Sequence, residues 1–392
     1  MLRLEKSMNK ARILRRTVSV QKHIRAASMA LAAALAALTL AGPVSAQTSQ
    51  TRAPANTVIA TIPGGGTGIT IDEVRGKAYV TGGPNGVTVI DEATDKVTAN
   101  ISAPGASGFT ITHDSLHGKV FAVSYNPAIL SIIDEATDTV IANITPPGGG
   151  NSLGVAVDPV RGKYYVSLEQ GFQADSVPNL AYVAVYDEAT NKLIKKIELA
   201  QFPQDLAVDP IRGTLYVLAG PAGPYTVYAI DEETDKVTAT ISMPEAVETG
   251  IAIDRDRGLV YVGGSGCSNT SGCSVPGSVF VIDERTNKIT AQLNTSPTPP
   301  AGNENVITEE VAIDPINGMG YAANFHFGTV AVFDLRTNKL TDTITIPGDK
   351  NFGVAVDPIR RKVFVSNVIG NSVTVISAGP PKWPRYDAWA HR

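Results

Sequence analysis

The stretch "VIDEATDKVTANI", Val89 to Ile101, sets Asp91 beside Glu92 and follows them with Asp95 and Lys96. Paired carboxylates next to a lysine are the materials of general acid–base chemistry. The pattern returns, however, as "IIDEATDTVIANI" from Ile132, "VYDEATNKLIKKI" from Val185 and "AIDEETDKVTATI" from Ala229. It returns again as "VIDERTNKITAQL" from Val281 and "VFDLRTNKLTDTI" from Val332. An active site is built once per chain, whereas a turn is built as often as the fold needs it. Alternating apolar residues on both sides of a short polar insert mark two strands joined by a tight turn. The Asp can accept backbone N–H bonds there, and Thr can do so more weakly. In the sixth copy Leu335 stands where the second acid should be, which a catalytic pair would not tolerate. These segments read as turns of a repeat architecture.

A second signature precedes each hairpin. It reads "GITIDEVRGKAYVTGG" from Gly68, "GVAVDPVRGKYYVSLE" from Gly154 and "DLAVDPIRGTLYVLAG" from Asp205. Further copies are "GIAIDRDRGLVYVGGS" from Gly250, "EVAIDPINGMGYAANF" from Glu310 and "GVAVDPIRRKVFVSNV" from Gly353. The copy from Gly108, "GFTITHDSLHGKVFAVSY", is irregular and reads as carrying two extra residues in its turn. Pro presets φ in the Asp-Pro-x-Arg-Gly turn and Gly supplies φ > 0. Each unit therefore holds four short strands, at a spacing typical of a propeller blade. Seven copies of the first three strands accompany six complete hairpins. The last copy stops at "SVTVISAG", while "NTVIATI", Asn56 to Ile62, stands without a partner near the other end. Ring closure resolves the mismatch: the N-terminal strand completes the last blade and leaves no open ends. The expectation is an all-β, seven-bladed β-propeller of four-stranded blades spanning 56–379.

With "YVTGG", "YVSLE" and "FVSNV" followed by DEAT-type hairpins, the chain resembles the YVTN-repeat (YncE-like) family of seven-bladed propellers across nearly all of its length after the leader. The resemblance implies an exported or surface protein. Similar-looking propellers include lactonases and streptogramin lyases, so it leaves catalysis open, and fold does not decide function.

The ends of the chain concern export. Residues 1–46 read as a signal peptide, with a basic stretch, the apolar "MALAAALAALTLAG" and the small-residue site Val44-Ser45-Ala46. Cleavage near Ala46 would deliver a periplasmic or secreted protein with no membrane span in the mature chain. Residues 47–55 read as a linker and 380–392 as a loosely attached tail. The formal charge of the whole chain is −4, so losing the basic leader makes it more acidic and nucleic acid an unlikely partner. Cys267 and Cys273, the only cysteines, share one inserted loop, and in an exported protein they read as a disulfide.

Residues that break the repeat carry the functional signal. The Asp-Pro-x-Arg-Gly and DEAT turns share one face; the loops on the other face vary in length, with excursions at 168–181, 263–278 and 294–310. That face gathers Glu169, Asp175, Asp205, Glu245, Glu248, Glu304, Glu309, Glu310 and Asp349 against Lys350. Asp205 and Glu310 replace the Gly that opens the inner strand of most blades, so they should border the channel mouth. His326 lies in a loop of the same face, with Asn324, Asn351, Asn367 and Asn371 nearby. Carboxylate and amide oxygens suit Ca²⁺ or Mg²⁺, and His326 suits an acid or base role. Glu169, Asp175, Glu304 and Glu309 are candidates for contact with a partner. His113 and His117 read as a surface pair on the opposite face.

Two functions follow as expectations. One is an exported binding or scaffold propeller, monomeric, presenting an acidic face to a small ligand, a cation or a cell-envelope protein. The other is a divalent-cation-dependent lactonase- or lyase-like enzyme with its site at the channel mouth.

Overall fold

The computed structural model describes residues 53–83, 86–170, 180–220, 225–247, 250–265, 267–268, 272–273, 276–296, 307–346 and 350–379. The leader, most of the linker, the tail, and Asp175, Glu248, Glu304 and Asp349 lie outside the described residues.

Seven four-stranded antiparallel sheets form the blades of a propeller. Blade 1 runs from the axis outward through Ile69–Asp72, Lys77–Gly83, Gly86–Asp91 and Lys96–Ile101. Blades 2 to 6 repeat it over 111–144, 155–198, 202–242, 251–294 and 308–345. Blade 7 takes three strands from 351–377, and Thr57–Pro63 pairs antiparallel with Ser372–Ser377 as the fourth. Closure by the N-terminal strand is thus present as the orphan sequence implied. Among the described residues the helical elements are two 3₁₀ turns, Pro104–Ser107 and Phe325–Phe327, and no helix is long and apolar enough to cross a membrane.

The core lies between blades. One apolar cluster joins Phe121 and Leu130 of blade 2 to Val155 and Tyr164 of blade 3, and the pattern recurs around the ring. The third residue of every second strand is a buried aromatic: Tyr79, Phe121, Tyr165, Tyr216, Tyr261, Tyr321 and Phe364. Each such ring contributes about 2–3 kcal/mol by leaving water. Several of their hydroxyls also donate to the next blade's hairpin turn, as Tyr79 does to Asp138 at 3.3 Å and Tyr261 to Asn338 at 3.4 Å.

The turns explain the repeated letters. In the DEAT turn Asp91 accepts from the N–H of Thr94 (2.8 Å) and from its hydroxyl (2.6 Å), which holds its carboxyl below the ordinary range. The fifth residue, always Asp or Asn, sits at positive φ (Asp95 54°, Asn191 56°), where these two types are tolerated best among residues with a side chain. The Glu of the turn is buried (Glu92, Glu135, Glu232) and faces the preceding blade. Arg75 there links Asp72 of its own turn to Glu135 of the next blade, at 2.7 Å each. Burial, reinforced by the facing aspartate, pushes Glu92 up to about 9 and Glu135 to about 8.

Two readings of blade 2 need correcting. Its turn, Asp114 to Gly118, has the standard length, with the Gly118 N–H bonded to the Asp114 carbonyl as Gly76 is to Asp72. The two extra residues precede the strand and put Thr110 in the place of the opening Gly. His113 accordingly belongs to the inner strand Ile111–Asp114 and faces the axis, whereas His117 alone occupies the turn.

Candidate functional site

Inner strands of neighbouring blades approach closely where they begin. A Cβ on Gly68 would lie 2.4 Å from the Phe109 carbonyl oxygen, and one on Gly154 2.4 Å from that of Gln204. Glycine at this point is therefore a requirement of packing. Blades 4 and 6 nevertheless carry Asp205 and Glu310 there, and both show a register break at that point, between Pro203 and Leu206 and between Thr308 and Glu310. A β-bulge re-aims a side chain that a regular strand would drive into its neighbour. Blade 7 has the same break at Gly353, and both acids line the central channel, a cavity of about 520 Å³ bordered by inner-strand residues.

Asp205 and Glu310 meet across blade 5. Asp205 Oδ1 accepts from its neighbour Leu206 N–H at 2.8 Å, and Oδ2 accepts from Gly250 N–H at 3.1 Å. Gly250, at φ +83°, lies against Glu310: a Cβ there would stand 3.0 Å from the Glu310 Cα. Burial raises Asp205 to about 6, opposed by the N–H bonds of Leu206, Gly250 and Ile251. Burial raises Glu310 well above its ordinary value, and the charge of Asp205 raises it further. Glu310 is thus the member of the pair that holds its proton more tightly, and Asp205, bonded by N–H groups, is the one that ionises first.

The channel's other end carries a second polar group. His113 Nδ1 lies 2.7 Å from the Thr70 hydroxyl, and its Nε2 3.9 Å from Glu73. Burial lowers the imidazole's pKa and raises that of Glu73. Arg255 joins them on the cavity wall. Glu73, Ser115 and Arg255 occupy the turn position that is proline in blades 3, 4, 6 and 7. That departure from the repeat is legible in "IDEVRG", "HDSLHG" and "IDRDRG", where the turn face is uniform in length but not in this residue.

The remaining candidates are spread out. His326, Asn324, Asn351 and Asn367 lie outside the cavity lining. His326 contacts Lys350 at 3.5 Å and the Phe325 ring edge-on, in an aromatic row that runs through Phe352 to Phe109. Asn324 is buried and donates to the Thr295 carbonyl at 2.8 Å. Asn351 and Asn367 are buried and paired in register on adjacent strands of blade 7. Glu169 and Glu309 are both 7% exposed; Glu169 accepts from Asn151 at 3.2 Å, so it braces its own blade's edge. For Cys267 and Cys273 the backbone forms a two-stranded ribbon in which the two residues stand directly opposite.

Seven closed four-stranded blades around a polar channel define a seven-bladed β-propeller. No protein-family model matches the chain. It is 25% identical over 176 residues to the uncharacterized protein YncE of Salmonella typhi and to that of Salmonella typhimurium. The match spans 45% of this chain and 45% of each relative, under half of their length. Among solved structures, Kuenenia stuttgartiensis hydrazine synthase superposes with a TM-score of 0.68 at 16% identity, over 84% of this chain and 98% of that one. At that identity the likeness is one of fold. The chain is a seven-bladed propeller that is similar to YncE over part of its length.

Proposed function

We propose that this chain is an exported propeller that takes a small ligand bearing a monovalent positive group, such as an ammonium, into its central channel from the loop face. The observation that carries the reading is the pair of acids, buried Asp205 and half-buried Glu310, on one cavity where most blades have glycine. A concave cavity with a few convergent polar groups and shifted pKa values is the default ligand site of a fold. Charge decides the ligand class. With both Asp205 oxygens engaged by N–H groups and Glu310 the weaker acid, the mouth offers little negative charge and few open oxygens. Ca²⁺ takes six to eight oxygen ligands, so a divalent ion fits the pair less well than an ammonium does. Export rests on the basic-apolar-small leader at 1–46, and the intact mass of protein recovered from the periplasm tests cleavage after Ala46.

The catalytic alternative draws on the same pair, because two carboxyls held in different protonation states can serve as base and acid. In that reading His326 is displaced by its distance from the channel, and His113, on the lining, becomes the imidazole to test.

The experiment is calorimetric titration with butylammonium, cadaverine, Ca²⁺ and Mg²⁺ at pH 6 and pH 8. Ammonium binding that tightens as pH rises and that disappears in Asp205→Asn is the expected result. Binding unchanged in the Asp205→Asn/Glu310→Gln double variant would sink the proposal. Preference for Ca²⁺ over both amines would redirect it to a metal.

A further inference from the structure

The junction between blades 2 and 3 departs from the others. At four junctions an arginine three residues after a buried aspartate spans two carboxylates. Arg75 reaches Asp72 and Glu135 at 2.7 Å each, and Arg161 reaches Asp158 at 2.8 Å and Glu232 at 3.3 Å. Arg212 and Arg360 repeat the arrangement toward Glu284 and Glu92. Blade 2 has His117 in this position. Its Nδ1 lies 2.5 Å from Asp114 Oδ2 and 3.4 Å from Glu188 Oε2. The guanidinium Nη1 carries two N–H groups, one for each carboxylate, but a ring nitrogen carries one and can satisfy only one of the two. Glu188 is 2% exposed, and its Oε2 has no hydrogen-bond partner among the described residues, as is true of oxygens on Glu92, Glu135, Glu232 and Glu284 at the arginine junctions.

The space is open as well. At the other junctions the guanidinium lies over the turn glycine of the next blade, so that a Cβ on Gly76, Gly213 or Gly258 would meet Arg360, Arg161 or Arg212 within 2.9 Å. At Gly162, the glycine opposite His117, nothing lies within 4 Å of that point.

We propose that His117, Asp114 and Glu188 form a binding site for a divalent transition-metal ion, for which zinc is the fitting probe. The three ligand atoms lie within 4.8 Å of one another, a spread that an ion with bonds of about 2.0–2.2 Å closes by small side-chain rotations. The other oxygens of both carboxylates are already anchored. Asp114 Oδ1 accepts from the N–H groups of Leu116 (2.8 Å) and His117 (3.2 Å), and Glu188 Oε1 from Lys119 (3.1 Å). One oxygen of each is thus left facing the imidazole, with its outer shell in place. His117 is 44% exposed on its side chain, which gives the ion a path and leaves room for a water as fourth ligand. One imidazole with two carboxylate oxygens suits zinc better than calcium or magnesium, which favour all-oxygen shells.

The test is calorimetric titration of untagged, full-length mature protein with zinc sulfate, with melting curves at rising zinc and after EDTA. One zinc per chain and a concentration-dependent rise in Tm that EDTA reverses are expected. His117→Arg restores the residue used at the other junctions and should fold at least as well as the parent. It should lose zinc affinity by well over about tenfold. His117→Ala should lose zinc as well, and it covers the case in which the arginine folds poorly; His326→Ala should bind as the parent does. Failure of the parent to bind zinc, or an affinity in His117→Arg and His117→Ala equal to the parent's, overturns the site.

Discussion

The two faces of this ring are built on opposite principles. The turn face repeats one arrangement at four of its junctions: a buried Asp, an Arg reaching to the next blade and a buried Glu receiving it, with a Lys such as Lys77 or Lys362 pairing with the Asp of the neighbouring turn. The loop face carries the same strands but lets the connections and first residues differ, and there two carboxyls break into the channel. One face holds the blades together, so its charges are spent on one another. The other face carries Asp205 and Glu310 on the channel, apart from those cross-blade pairs, and the junction at His117 is the exception on the turn face.

The sharpest break of that contrast is on the turn face. Arg75→Ala leaves Asp72 and Glu135, both fully buried, without their cation, and should cost about 2–4 kcal/mol in denaturant unfolding. Arg257→Ala should cost about 1 kcal/mol, because Leu335 stands where the next blade's Glu would be and the arginine serves Asp254. Equal losses would mean that the cross-blade carboxylate adds nothing.

Much of this architecture was legible in the sequence and some was not, for physical reasons. Strand count and ring closure follow from local signals: period-two alternation, turn residues, and an orphan strand whose complement is visible at the other end. The acids at 205 and 310 were legible because they replace a glycine that close packing demands. What stayed hidden was three-dimensional. The Asp91–Glu92 stretch was read as a turn, yet the use of Glu92 against Arg360 of blade 7 joins residues far apart in the chain. Arg361 is a similar case. It takes the turn-glycine position at φ +63° and reaches Asn317 at 3.2 Å and the Ala378 carbonyl at 3.4 Å, bracing the one junction where blade 7 supplies no DEAT turn. His113 was assigned to the wrong element because two inserted residues were placed after the strand instead of before it.

The next effect sharpens the electrostatic half of the comparison. Glu92 rises to about 9 in the folded protein from an ordinary value of about 4.3 in the unfolded chain. Between those values the folded state binds more protons than the unfolded state, so this contribution is fully present below about pH 4.3 and is lost as pH rises through 9. Glu135, Glu232 and Glu284 act in the same direction with upper limits near 8, 7 and 7. Melting temperature should therefore fall steadily from pH 5 to pH 9. Glu92→Gln, an uncharged isostere, should make that fall shallower. A Tm that rises over this range would show these carboxyls to be ionised in the fold.

On the loop face a substitution should move binding more than stability. Glu310→Gln removes a proton-bearing carboxyl whose shape the amide keeps, and its backbone bulge is set by the strand rather than by the side chain. We expect a stability change within about 0.5 kcal/mol together with loss of the pH dependence of ammonium binding. A large destabilisation would place Glu310 with the structural charges of the turn face.

The smallest effect is expected at the cysteines. Cys267 and Cys273 face each other in a ribbon that pairs with no blade strand, so a bridge there would close a loop of a few residues that can open without disturbing blade 5. Chain entropy gives such a short loop about 2 kcal/mol, and most of it should remain local to the hairpin. The denatured mass should be two hydrogens below the reduced value, and Cys267→Ser/Cys273→Ser should leave the main melting transition nearly unchanged while speeding proteolysis between residues 263 and 278. If the double variant instead lowered the whole transition by several degrees, this loop would be bracing the ring, and the division of labour between the two faces would fail at blade 5.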